Sequence, residues 1–466
     1  MSINAIVLAA GQGTRMKSQR HKVLHPVCGK PMVRHLLDAQ KAAGITRRIV
    51  VIGSMGEQVQ AALQGEVEFV WQKEQLGTGH AVMQAAPLLE NQDGITLICS
   101  GDTPLITSES ITKLLELHRE QGAAATVLTG IVDNPFGYGR IIRGEDGSVL
   151  RIVEEKDASP DEKSVREINA STYCFDTRSL AQALKMVTNN NAQGEYYLTD
   201  CIDILRRQGK KVAAHCVDDA DEILNINDRV QLAMVENILR DKIRLHHMQN
   251  GVTLVDPSST YIDIDIQIGA DTIIYPGSML TGSTVIGSGC EIGPHTRIQN
   301  SIIGDGSVVM QSVLLDSTFG SGVNIGPFAY VRPGSTVADK VKIGDFVEIK
   351  NSTIGEGTKI PHLAYVGDAD VGNGTNIGCG TITVNFDGMA KHRTVVGDNS
   401  FIGCNTNLVA PVTVGNDTYV AAGSTITDNV PDGALAIARE RQVIKEGYTA
   451  KLEARLRERG SKKVRG

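Results

Sequence analysis

The sequence predicts two architectures in series: a mostly parallel, Rossmann-like α/β domain, then a parallel β-helix built from hexapeptide repeats. Three observations carry this expectation. Short apolar runs alternate with helix-length periodic stretches as far as about Asn227. Beyond Gln249 aliphatic residues recur every sixth position. Glycine is over-represented, with 49 residues against only 4% aromatics, so tight turns are favoured over bulky core side chains. A chain of 466 residues suffices for two or three domains.

Taken in order, residues 5–10 (AIVLAA), 47–53 (RRIVVIG), 68–71 (EFVW) and 95–102 (ITLICSGD) are predicted as buried strands, and 32–43 as a helix. Residues 1–228 form the first domain and 229–250 a linking amphipathic helix, with Val230, Met234, Ile238, Ile243 and Leu245 between charges. Residues 251–437 form the β-helix. Ile262, Ile268, Ile274, Leu280, Ile286, Ile292 and Ile298 stand six apart, with Gly269, Gly287 and Gly293 directly following three of them. The register resumes at Ile325, Val331, Val337, Ile343 and Ile349, and again at Val396, Ile402, Leu408, Val414, Val420 and Ile426. The aliphatics point inward and glycine or asparagine serves the turns, where positive φ is cheap. At roughly 18 residues per coil this makes about nine or ten coils. Residues 380–394 break the register and are expected to loop out of a coil, carrying Lys391, His392 and Arg393. From 438 to 466 the chain reads as a basic helical tail, with ten Lys or Arg against four Glu, a solvated face.

A net charge of −7 argues against a nucleic-acid binder. The eight cysteines form no C-x-x-C pair, so neither a zinc ribbon nor a dithiol motif is indicated. No signal-type N-terminus or transmembrane run is found, and a cytoplasmic location is expected.

Residues 8–15 read LAAGQGTR directly after the first predicted strand. Such glycines leave backbone N–H groups open to phosphates, and Arg15 adds a bidentate fork. The segment fails as a P-loop because no G-K-[ST] follows, and as a dinucleotide fingerprint because Met16 holds the last glycine position. The longer string LAAGQGTRMKSQRHKVLHPVCGKPM resembles the signature of sugar-phosphate nucleotidyltransferases. QKEQLGTGHA, SGDTPL, NPFGYGRI, VEEKDA, EIN, NNNAQGEYYLTD and NIND follow between residues 72 and 228. In that order they resemble one branch of the family, the bacterial bifunctional N-acetylglucosamine-1-phosphate uridylyltransferases and glucosamine-1-phosphate acetyltransferases.

The resemblance implies an α/β nucleotidyltransferase domain followed by a left-handed parallel β-helix. It implies two reactions: acetyl transfer from acetyl-CoA to glucosamine 1-phosphate, then Mg²⁺-dependent uridylyl transfer from UTP to N-acetylglucosamine 1-phosphate. Carried over residue by residue, Leu8, Ala9, Ala10, Gly11, Gly13, Arg15, Lys22, Gln72, Gly77, Thr78, Gly139, Glu154, Asn169 and Asn227 contact UTP or the UDP-sugar. Gln72, Gly77 and Thr78 fall to uracil; Gly139, Glu154 and Asn169 fall to the amino sugar. Asp102 and Asn227 are the implied Mg²⁺ ligands, a small set that suits an ion completed by phosphate and water. Without the resemblance, Asp102 would read equally well as a turn or N-cap residue.

Within residues 359–388, H-L-x-Y resembles the family's acetyl-transfer segment and makes His362 the general base, where a lone histidine would otherwise read as structural. Arg332, Lys350, Tyr365, Asn376 and Lys391 are implied to bind glucosamine 1-phosphate. Cys379, Asn385, Phe386, Cys404, Ala422 and Arg439 are implied at the acetyl-CoA site. Ser100, Phe386, Cys379 and Cys404 depart from the family pattern; Cys404 replaces a serine hydroxyl by a poorer thiol donor. A homotrimer assembled through the β-helix is also implied. Two other readings stand beside this one: a nucleotidyltransferase of other specificity with an inert β-helix, and a noncatalytic assembly subunit. The first would release pyrophosphate but no CoA, and the second neither.

Overall fold

A computed structural model describes residues 2–89 and 92–459. The chain divides into two compact units, Met1–Gln249 with Tyr261–Ile266, and Asn250–Thr260 with Gln267–Gly466.

In the first unit the sheet runs in the order Val212–Cys216, Ala125–Ile131, Glu167–Asp176, Gly94–Ser100, Ser2–Ala9, Arg47–Ile52, Glu68–Trp71. All four strands expected from the apolar runs are present, and the expected helix spans Met32–Ala42, but Glu68–Trp71 is not buried as expected: it is the sheet's edge strand, with its residues half-buried or exposed. Side chains alternate across the sheet because strand geometry has a period of two. Ala5, Val7 and Ala9 join a core with Val33, Leu36, Ile111 and Leu114 of two helices. Ile6, Ile49 and Ile98 join the opposite core with Val82, Leu180 and Leu205. Parallel pairing holds on both sides of Ser2–Ala9. The sheet is mixed, however: Glu167–Asp176 pairs antiparallel with both its neighbours. The hairpin Arg140–Arg143 and Val149–Val153 joins it at one edge.

The helix Arg229–Gln249 has the expected length, but only part of its expected apolar stripe is covered: Ile243 is buried and Ile238 packs against the core. Val230, Met234 and Leu245 are exposed, whereas Val235, Ile243 and His247 are buried. The periodicity there supports more than one stripe, and packing selects between them.

In the second unit, parallel strands stack into faces. One face runs from Thr253–Leu254 to Leu435–Ala436 through eleven strands, another from Gln267–Ile268 to Val412–Val414 through nine, in line with the expected coil number. All but one of the hexad aliphatics are buried, most at 0–2% exposure; Ile268 alone is half-buried. A second buried set at the same six-residue spacing, Thr272, Ser278, Thr284, Cys290 and Thr296, lies outside the aliphatic reading. Its members satisfy corner backbone groups: Thr272 Oγ1 donates to the Gly287 carbonyl at 2.8 Å and accepts from Cys290 N at 3.0 Å. Gly287 is required for closeness and not for positive φ, since a Cβ there would stand 2.7 Å from Asp305 N on the next coil.

The out-of-register loop is shorter than expected. Ile382–Val384 remains a coil strand, so only residues 385–393 leave the coil. Ser400 N reaches Thr375 Oγ1 across 25 residues, whereas the next such bond, Thr418 N to Ser400 Oγ, spans 18. Among the described residues the tail is helical over Tyr448–Glu458 alone, since residues 439–447 form no helix; the closing GSKKVRG lies outside the described residues. No described helix is long and apolar enough to cross a membrane. All eight cysteines are free thiols.

Candidate active sites

Chain order reverses between Ser2–Ala9 and Gly94–Ser100, and the turns leaving their C-terminal ends meet in one crevice, the place where open α/β sheets bind ligands. Lys22, in the turn Lys22–Leu24, reaches into it. Its Nζ donates to the Asp102 carboxylate and, at 2.7 Å, to Asn227 Oδ1. Ser100 Oγ donates to the other Asp102 oxygen at 2.7 Å, and Ile226 N donates to the Asp102 carbonyl at 3.0 Å, which ties residues 225–228 to this turn. Gly13 has φ 60°, and a Cβ there would stand 2.7 Å from Lys22 Cβ. Glycine is thus what lets Lys22 cross the loop.

A cavity of about 270 Å³ above this turn is walled by Leu8, Ala9, Ala10, Gly11, Lys22, Gln72, Gly77, Thr78 and Asp102, all expected residues. His21, Val23, Gln75, Ala81, Ser100 and Glu195 complete it. Leu8, Thr78, Ser100 and Glu195 also wall a second compartment of about 190 Å³, which holds the expected Gly139, Glu154 and Asn169. Gln72 is buried, and its Nε2 donates to the Gly77 carbonyl at 3.1 Å. Leu198 N donates to Thr78 Oγ1 at 3.1 Å, docking the 189–200 segment against the first compartment.

In the second compartment burial raises the Glu154 carboxyl, and the Thr199 hydroxyl donates to it at 3.3 Å. Asn169 sits where the strand register shifts before Tyr173; its Nδ2 donates to Tyr173 Oη at 2.6 Å. Arg15 is exposed and walls neither cavity. His21, Glu195, Tyr197 and Thr199 were not named from sequence. The last three lie inside the quoted NNNAQGEYYLTD, which was the available signal. Burial pushes His21 down to about 4, so its imidazole is neutral at pH 7.

Fit to a divalent ion rests on the donor set. Asp102 and Asn227 offer two hard oxygens that already converge on one cationic nitrogen, and among the described residues no cluster of three His, Cys, Asp or Glu competes. Two protein oxygens are what Mg²⁺ takes beside substrate phosphates.

In the second unit, backbone bonds from Leu363 N to Asp345 O, Gly380 N to Leu363 O, Asn405 N to Cys379 O and Gly423 N to Cys404 O run up one corner at 2.7–2.8 Å. Asp345, His362, Cys379, Cys404 and Ala422 therefore stand one above another on successive coils. A Cβ at Gly423 would meet Arg439 Cδ at 3.7 Å, which places Arg439 at the end of this column. His362 is exposed, and its Nδ1 lies 2.6 Å from Asp345 Oδ1.

The adjoining face gathers the expected Lys350, Tyr365 and Asn385 around Asp368. Lys350 Nζ lies 3.4 Å from its Oδ2, Asn351 Nδ2 donates to its Oδ1 at 2.7 Å, and Asn385 Nδ2 donates to Oδ2 and, at 3.4 Å, to Tyr365 Oη. Burial alone would raise the Asp368 carboxyl, but these donors hold it below the usual range. Lys391 bridges to Phe386 across the loop, and the neighbouring Lys350 ammonium lowers its pKa. Arg332 Nη1 pairs with Glu348 at 2.9 Å. Asn376 lies on the His362 face and outside the Asp368 network. Asp345, Glu348 and Asp368 were missed from sequence, although stepping back 17 residues, one coil, from His362 arrives at Asp345.

The folds and sites define a two-part transferase, a nucleotidyltransferase unit joined to a hexapeptide-repeat unit. The nucleotidyl transferase family model matches residues 4–228. The bacterial transferase hexapeptide model matches 265–300 and 393–428, and the GlmU-like C-terminal hexapeptide model matches 289–375. The chain is 56% identical over 448 residues to the Bifunctional protein GlmU of Geobacillus sp. (strain WCH70), covering 96% of this chain and 98% of the relative. Identity is 56% over 450 residues to that of Brevibacillus brevis, covering 97% and 98%, and 54% over 448 residues to that of Clostridium kluyveri, covering 96% and 98%. The chain belongs to the bifunctional GlmU family and is a bifunctional enzyme.

Proposed function

We propose that the chain makes UDP-N-acetylglucosamine in two steps, acetyl transfer in the β-helix unit followed by uridylyl transfer in the α/β unit. The observation that carries this most directly is the meeting of Lys22, Asp102 and Asn227 at the sheet's switch point beside a two-compartment crevice.

For uridylyl transfer, Gln72, Gly77 and Thr78 bind the base, and the N–H groups of residues 10–13 with Lys22 and Arg15 hold the triphosphate. Glu154, Asn169 and Gly139 orient the amino sugar so that its phosphate oxygen attacks the α-phosphorus of UTP in line, and pyrophosphate leaves. Asp102 and Asn227 would hold Mg²⁺, which when bound neutralises phosphate charge. Lys22 takes part in the same neutralisation and must give up its bonds to the two oxygens as substrate enters.

For acetyl transfer, Arg332, Lys350, Lys391, Tyr365 and Asn376 hold glucosamine 1-phosphate. The substrate ammonium gives up one proton to solvent, the free amine bonds to the thioester carbon as His362 Nε2 takes the second proton from its nitrogen, and when the C–S bond breaks His362 passes that proton to the leaving CoA sulfur. Asn385 assists at the reacting centre. Cys379, Phe386, Cys404, Ala422 and Arg439 contact acetyl-CoA along the corner and loop. The domain limits 1–228, 229–250, 251–437 and 438–466, a homotrimer built through the β-helix, and a cytoplasmic location complete the proposal.

The test supplies glucosamine 1-phosphate, acetyl-CoA, UTP and Mg²⁺ and follows CoA thiol and pyrophosphate separately, with His362→Ala in parallel. Both products should appear. The variant should lose CoA release and still form pyrophosphate when given N-acetylglucosamine 1-phosphate. Pyrophosphate without CoA from the parent enzyme would overturn the acetyl-transfer half.

A further inference from the structure

We propose that Asp345 is the positioning residue of the acetyl-transfer base, fixing the His362 imidazole in the Nδ1–H tautomer with Nε2 free to take the substrate's proton. The inference rests on the acetyl-transfer reading above and deepens it.

The juxtaposition is built by the coil. Asp345 ends the strand Lys342–Asp345, His362 ends the strand Lys359–His362, and the two are register partners in parallel pairing. Leu363 N donates to the Asp345 carbonyl at 2.8 Å, so the backbone clamps the pair at the residue after the histidine. Side chains at matching positions of stacked coils project in the same direction, and Nδ1 meets Oδ1 at 2.6 Å. An ionised carboxylate can only accept, so the shared hydrogen belongs to Nδ1 whenever the ring is neutral. The His362 bond holds the Asp345 carboxyl below the usual carboxylate range, which keeps it an acceptor through neutral pH. Neutral histidine in water favours the opposite tautomer, with Nε2 protonated and unable to act as a base. Without Asp345 the ring would have to exchange tautomers and find its orientation before each turnover.

Other titratable groups near His362 are Cys379 on the following coil and Lys359 and Tyr365 on its own. None of these bonds to its ring nitrogens in the structure, whereas Asp345 does. Asp345 does not touch substrate in this account. Its effect should therefore fall on kcat for acetyl transfer and not on KM for glucosamine 1-phosphate.

The experiment uses the full chain with ¹⁵N-labelled histidine. The parent enzyme, Asp345→Ala and Asp345→Asn are compared by two-bond ¹⁵N–¹H correlation spectra, with His362→Ala used to assign the signal. In the parent, the neutral His362 ring should show a protonated Nδ1. In Asp345→Ala it should revert to protonated Nε2, and kcat for CoA release should fall about 10- to 100-fold with KM within about twofold. Asp345→Asn, nearly isosteric and still able to accept through Oδ1, should retain part of both the tautomer and the rate. A protonated Nε2 in the parent, or an unchanged kcat in Asp345→Ala, would overturn the proposal. The tautomer readout needs no turnover, so it decides this proposal even if the parent releases no CoA, the separate result that would sink acetyl transfer itself.

Discussion

Lys22 and Asp102, eighty residues apart in the chain, are joined by a direct ion pair in which the lysine ammonium stands between the Asp102 carboxylate and Asn227 Oδ1. The ammonium thus occupies the meeting point of the two oxygens that we propose hold Mg²⁺. Asp102→Ala should abolish UDP-sugar formation and leave CoA release intact. Lys22→Met should lower uridylyl kcat by at least about 100-fold, yet strengthen Mn²⁺ binding to the nucleotide-free enzyme, measured by electron paramagnetic resonance, because the competing cation is gone. Unchanged Mn²⁺ affinity would place the ion elsewhere.

Cys404 stands on the His362 corner and is exposed. Iodoacetamide should therefore inactivate acetyl transfer while sparing uridylyl transfer, with acetyl-CoA protecting. Cys404→Ser should resist the reagent and raise acetyl kcat, since a hydroxyl is the better donor to a developing oxyanion. Equal sensitivity in Cys404→Ser would shift attention to the half-buried Cys379.

Acid should destabilise the α/β unit. Burial lowers both His21 and His118 from 6.5 to about 4, so each is neutral when folded and readily protonated when unfolded. With folded values below unfolded ones, stability is full above pH 6.5 and is lost as pH falls toward 4. Each histidine contributes up to about 3 kcal/mol. The single tryptophan, Trp71, lies in this unit's sheet and reports its unfolding in urea. His118→Gln should flatten the dependence between pH 7.5 and pH 5; an identical slope would exclude that histidine.

Gly403 supports the same corner by its lack of a side chain. A Cβ there would stand 2.4 Å from Ala422 N, a backbone atom that cannot turn aside. Gly403→Ala should cost about 1–3 kcal/mol and shift the Ala422 segment, raising KM for acetyl-CoA more than KM for the sugar phosphate. A wild-type melting temperature and KM would show that the corner yields.

The sequence by itself determined the two architectures and many of the residues that wall the first crevice. Hexad spacing is a local periodic signal, since every sixth side chain must face inward for coils to stack, and Ile274 to Ile298 all do so. The glycine-rich turn is likewise local, because a strand must end before its N–H groups are free. Only the tertiary structure decided which side chains meet. Asn227 comes to Asp102 because the Ile226 N–H bond to the Asp102 carbonyl ties residues 225–228 to that turn. Asp345 comes to His362 because one coil happens to return 17 residues later. The helix Arg229–Gln249 buries Val235 and leaves Val230 exposed because its neighbours, not its own periodicity, supply the apolar surface. Periodicity specifies which direction a residue faces, while contact depends on what the rest of the chain places there.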